Sequence, residues 1–215
     1  MTTDPFKDPK AVVETRLVHE VHRLATTLLA EAAVRPSVPL SALAQLRDFL
    51  VVNLRHHHEA EDQDLWPLIV AAAPATAQAL DELSKEHERL DAALDLLAAV
   101  ALSDGAEDGV RAALREAAVA VRDTEHDHLA HEEPLLFPAL RDHVSPAEWA
   151  DFSQRVIATT PPVAGHLMFG FLDEVGSPAE VELVLAGLPE PVRPLLPATR
   201  HQAEDDIRTL RGTES

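Results

Sequence analysis

Apolar residues recur every three or four positions along four long stretches, at roughly residues 10–34, 38–72, 76–102 and 107–142, and this spacing predicts four helices. The links between them are short and carry helix breakers: Arg35-Pro36-Ser37-Val38-Pro39, Ala73-Pro74 and Ser103-Asp104-Gly105. Short links force neighbouring helices to run antiparallel. The pattern therefore predicts an all-α, up-down-up-down four-helix bundle over residues 10–143. Past residue 144 proline becomes frequent (Pro161, Pro162, Pro189, Pro191, Pro194, Pro197). Ser145-Pro146-Ala147-Glu148 and Ser177-Pro178-Ala179-Glu180 each match a capping box with proline at the first helical position. Residues 144–215 are expected to form a C-terminal helical extension packed on the bundle. Its patch of Leu167, Met168, Phe169, Phe171 and Leu172 has to be buried against something, and the open end of the bundle is a candidate.

Within the bundle, polar residues fall where core residues belong. The second helix runs its apolar stripe through Leu50, Leu54, His57, Glu61, Leu65 and Leu68, and the fourth through Leu114, Val121, His128, Glu132 and Leu135. Residues four apart share a helix face, so His57 with Glu61 and His128 with Glu132 each present an imidazole beside a carboxylate, enough to grip one cation. The third helix has a leucine seam of Leu80, Leu83, Leu90, Leu94 and Leu97 interrupted by His87. On the first helix His22 borders the apolar face beside Val18, Ala25 and Leu29, whereas His19 lies with Arg23 and Thr26 on the polar side; His22 is the better placed, with His19 as the alternative. The motif His57-x-x-x-Glu61 with Leu65 and Pro67 recurs 71 residues later as His128-x-x-x-Glu132 with Leu136 and Pro138, so the bundle reads as two similar helical hairpins. Two carboxylates buried together repel, and a cation is the natural compensation. His126, His131, His143, His201 and Glu86 read as ordinary surface or hydrogen-bonded residues.

Composition narrows the chemistry. There is no cysteine, so a metal site here uses imidazole and carboxylate; those donors suit Fe and Mn, and Zn also binds them. Without tyrosine, no phenolate ligand or tyrosyl radical is available. The formal charge is -19, from 18 Lys plus Arg against 37 Asp plus Glu, which repels phosphate backbones and anionic bilayers and argues against nucleic-acid or membrane partners. No apolar run reaches the length of a membrane span and residues 1–10 lack the layout of a secretory signal, so a cytoplasmic protein is expected.

The two motifs, His57-x-x-x-Glu61 with Leu65-Trp66-Pro67 and His128-x-x-x-Glu132-Glu133 with Leu136-Phe137-Pro138, resemble the hemerythrin-like, HHE cation-binding family over roughly residues 10–142. The resemblance implies a non-heme di-iron centre holding two iron ions, with Glu61 and Glu132 bridging and His22, His57, His87 and His128 as terminal ligands. Hemerythrins proper carry a fifth histidine four residues from the first on the third helix. Here Leu83 and Asp91 stand at that spacing from His87, leaving a coordination position for water, Asp91, Glu125 or His166. The open position argues for turnover or sensing of O2, peroxide or nitric oxide over simple O2 carriage. An iron-handling or iron-sensing module, and a metal-free helical interaction protein, are the competing expectations; no protein partner is indicated. Pro134 removes a hydrogen bond from the Ala130 carbonyl, which predicts a kink beside Glu132.

Overall fold

The computed structural model describes residues 8–102 and 107–212, and every described element is helical. The bundle consists of α1 (Lys10–Ala32), α2 (Leu40–Ala60) continuing through a π-helical turn (Glu61–Leu65) into α3 (Trp66–Ala72), then α4 (Ala77–Ala98) and α5 (Glu107–His143). The extension adds α6 (Pro146–Thr159), α7 (His166–Val175), α8 (Pro178–Leu185) and α9 (Leu196–Leu210). The expected link Ser103-Asp104-Gly105 lies outside the described residues.

Around the bundle α1 packs on α2 and α5, and α4 packs on the same two. Hydrogen bonds at the ends give the directions. Arg111, early in α5, donates to the carbonyls of Arg35 (3.0 Å) and Val38 (2.6 Å) just past α1, while Arg141, late in α5, donates to Asp8 (2.9 Å) just before it. The two helices therefore run in opposite directions. Arg47 near the start of α2 reaches the Val100 carbonyl beyond the end of α4 at 2.6 Å, and Asp62 past the end of α2 accepts from Ser84 in the first half of α4 at 2.6 Å, so this pair also runs antiparallel.

The extension packs along α1 and α2. Leu167, Phe171 and Leu172 of α7 join the same core as Leu17, Leu43 and Phe49, while Met168 and Phe169 stay half-buried. The apolar patch thus lies against the flank of the bundle. Gly170 allows the close approach of α9, since a Cβ there would meet Ala203 Cβ and Ile207 Cδ1 at 2.7 Å. Both capping boxes form, with the Ser145 and Ser177 side chains accepting from the Glu148 and Glu180 backbone N–H groups, so α6 and α8 begin where the sequence places them. On α6, Trp149 and Phe152 close a second apolar cluster with Leu65, Trp66, Leu136 and Leu140. The α4 seam shows the plan: Leu80 and Leu83 belong to this second cluster, Leu90, Leu94 and Leu97 to the first, and His87 stands between them. A polar layer divides the core there.

Candidate metal centre

The layer is set by local backbone geometry. Through the π turn the Trp66 N–H bonds to the Glu61 carbonyl, five residues back instead of four, which inserts one residue into the helix. Core positions after the turn are consequently Leu65, Trp66 and Ile69, and Leu68, expected in the stripe, is only half-buried. Pro67 favours the wide turn because it lacks an N–H and its ring crowds a preceding carbonyl. Proline alone does not impose it: Pro138 holds the equivalent place in α5, which stays α-helical through both Pro134 and Pro138. In α5 the buried line passes from Glu132 to Leu136; Leu135, expected in the core, is 44% exposed because the i+4 neighbour, not the i+3, faces inward here.

Five side chains form one group around Glu61. The Nε2 atoms of His87 and His128 lie 3.2 Å apart, and His87 Nε2 is 3.7 Å from Glu61 Oε2. His58, Glu61, His87 and His128 converge so that one donor atom from each lies within 4.8 Å of the others. A second convergence joins His19, His57 and Glu61, with His57 Nε2 3.3 Å from Glu61 Oε1. Glu132 stands across from Glu61, its Oε2 3.5 Å from His19 Nε2 and 3.6 Å from His128 Nε2. Both carboxylates therefore face two histidine groups at once. Donors about 2.1 Å from one ion are about 3 to 3.5 Å apart in octahedral or tetrahedral arrangement, which matches these separations.

Burial without partners is the sharpest feature. His19, His22, His58, Glu61, His87, Glu125, His128 and Glu132 are all 2% exposed or less. Within this layer the inner nitrogens of His19, His22 and His57, both nitrogens of His58, and all six oxygens of Glu61, Glu125 and Glu132 have no hydrogen-bond partner. Buried polar groups nearly always find one, and buried anions are costly alone, so the donor set is what a bound cation would satisfy. Burial pushes the Glu61 carboxyl well above its usual range, and the facing charge of Glu132 adds to the rise. Burial, reinforced by neighbouring histidines, holds His57 and His58 well below the usual imidazole value, leaving them neutral with lone pairs free to ligate. Burial alone would lower His19, but Glu132 and Glu133 outweigh it and raise its pKa. Burial would likewise raise Glu125, yet His22, 3.3 Å away, and the neighbouring His58 and His128 bring it down to about 2.

An outer ring of carboxylates fixes the imidazoles. Nδ1 of His19 is 3.1 Å from Glu133, Nδ1 of His87 is 3.0 Å from Asp62, and Nδ1 of His128 is 3.1 Å from Glu86. Each contact places the proton on the outer nitrogen and leaves Nε2 bare toward the centre. Each carboxylate is itself held, Glu133 by Arg23 at 2.8 Å, Asp62 by Ser84, and Glu86 by the exposed His131 at 3.1 Å.

The sequence-expected residues His57, Glu61, His87, His128 and Glu132 come together in this layer. His22 is also in it, beside Glu125 at 3.3 Å. The reading of His19 as a residue on a polar face is corrected: it is fully buried and faces Glu132. The cause is that the side of α1 carrying His19, Arg23 and Thr26 packs on α5: His19 meets Glu132, Glu133 and Phe137, Arg23 meets Glu133, and Thr26 lies 3.4 Å from His126. His58 was not singled out by the sequence, although its place beside His57, three residues before Glu61, is a visible signal: both histidines reach the layer at the end of α2.

Fold and site together define a helical-bundle protein with a buried cation-binding centre of histidine and glutamate. Residues 13–140 match the hemerythrin HHE cation binding domain, well over half of the chain, and the protein belongs to that family. Searches of curated proteins and of solved structures returned no match. The family span covers α1 through nearly all of α5; α6 to α9 lie beyond it. No helix among the described residues is long and apolar enough to cross a membrane.

Proposed function

We propose that this is a non-heme di-iron protein that binds, senses or consumes O2 or a related small molecule such as peroxide or nitric oxide. The observation that carries the reading is Glu61, whose Oε1 faces His57 and whose Oε2 faces His87, so that one carboxylate serves two cation positions. His19 and His57 would hold one ion, and His58, His87 and His128 the other, with Glu61 and Glu132 between them. Mixed imidazole and carboxylate donors suit iron; Zn and Mn share that preference. Iron, when bound, supplies one-electron steps between ferrous and ferric states. The chain's own contribution is to keep the site dry and to hold the imidazoles in one tautomer through Glu133, Asp62 and Glu86.

Anaerobic loading with Fe(II), followed by metal counting and absorption spectra before and after O2, tests the proposal. Two irons per chain and an O2-dependent spectral change are expected. One iron or none, reproducibly, would refute the paired centre. Two irons without any response to O2, peroxide or nitric oxide would leave an iron-handling module instead.

A further inference from the structure

The polar layer contains three carboxylates, and the third has no assigned role. Glu125 lies on α5 three residues before His128 and seven before Glu132, so the three follow one helix face. It is 0% exposed. Its Oε1 is 3.3 Å from His22 Nδ1 and its Oε2 is 3.6 Å from His58 Nε2, and neither oxygen nor either of those nitrogens makes a hydrogen bond. These are the separations found between donors sharing an ion, and His58 already belongs to the group with Glu61, His87 and His128.

Alternatives for a remaining coordination position stand elsewhere. Asp91 is exposed and 3.9 Å from Arg55, and His166 is bonded to Asp206 at 2.8 Å on the flank of the bundle. Charge points the same way. Two divalent cations would bring four positive charges into a layer where Glu61 and Glu132 offset two, and a third buried anion reduces the remainder. A further cation beside Glu125 would instead increase it, so the carboxylate belongs with the ion at His58 and not with a separate one.

We propose that Glu125 is a third carboxylate ligand of the centre, serving the ion held by His58. This assignment rests on the two-ion reading above. Full-length Glu125→Gln and Glu125→Ala proteins, checked for wild-type helix content, are titrated anaerobically with Fe(II) and separately with Co(II) against a competing chelator. Expected is a wild type with two ions, and variants in which one ion binds more than tenfold more weakly with an altered Co(II) absorption spectrum while the other is unaffected. Glu125→Gln keeps the side-chain shape and decides the matter if the alanine variant does not fold. Two ions at wild-type affinity with an unchanged Co(II) spectrum in folded Glu125→Gln would overturn the assignment and leave the centre intact; fewer than two ions in the wild type would overturn both. If Glu125 only packs beside His22 within the fold, the variant loses stability without metal and keeps its metal binding, which also refutes the proposal.

Discussion

The double change Glu61→Gln with Glu132→Gln separates a cation centre from an ordinary buried polar layer. Without metal, the folded wild type confines both carboxylates where none of their four oxygens has a hydrogen bond. Because burial and Glu132 raise the pKa of Glu61, the folded protein binds a proton there that the unfolded chain has released, so metal-free stability falls as pH rises above the ordinary carboxylate value. The loss is about 1.4 kcal/mol for each unit by which that pKa is raised. Glutamine carries no charge to desolvate, so the metal-free mutant should equal or exceed the wild type at pH 7.5 and lack this decline between pH 5 and pH 8. Metal reverses the order: at a free concentration a thousand times Kd, binding adds about 4 kcal/mol, or roughly 10 °C in Tm for a chain of this size. Thermal melts followed by circular dichroism, in chelator and in Fe(II) under argon, give all four values. Equal metal-induced shifts in the two proteins, or a metal-free mutant more than about 1 kcal/mol less stable than wild type, would refute the reasoning.

Other outcomes follow from the same geometry. His87→Ala should lower metal content while helix content holds, because it deletes an inward nitrogen 3.2 Å from His128 and leaves the leucine seam in place; unchanged metal content with reduced stability would make His87 a packing residue. Glu133→Ala should weaken binding of the ion near His19 by roughly 10- to 100-fold and Glu133→Gln by less, since the amide oxygen still accepts the Nδ1 proton; chelator competition measures both. In acid, metal-free wild type should lose the contribution of Glu125. Its folded pKa of about 2 lies below the ordinary 4.5, so that stability is complete above pH 4.5 and disappears as pH falls toward 2, amounting to about 3 kcal/mol. Urea midpoints of wild type and Glu125→Gln from pH 6 to pH 3 should converge as the pH falls, and parallel curves would count against it.

The helices were legible because their apolar residues repeat at helical spacing; α1, α4 and α5 lie within a few residues of the expected stretches. The inward His87 was equally plain, since the leucines before and after it leave only one direction for the side chain. His19 was misplaced because an amphipathic pattern assumes that polar residues face water, whereas the polar side of α1 packs on α5, whose Glu132, Glu133 and His126 meet it. Thr26, taken as a mark of that polar side, is itself buried and bonded to the His22 carbonyl at 2.7 Å. Leu68 was misjudged for a different reason. A constant angle of rotation per residue cannot anticipate a turn that contains one residue more, and the proline two residues past Leu65 is no guide, because Pro138 stands at the same place in α5, which stays regular. The outer carboxylates Asp62 and Glu86 were beyond reach because their partners come from other helices.

That extra residue gives the two hairpins unequal tolerance to changes in length. Removing one position from Glu61–Leu65 would convert the wide turn into ordinary helix and keep α2 and α3 in phase, so Leu54 on one side and Trp66 and Ile69 on the other would still meet the core. Removing one position from the same place in α5 would rotate everything beyond it by about 100°, turning Leu136 and Leu140 away from the cluster they share with Trp149. The first hairpin can shorten by one residue without disturbing its flanks; the second cannot.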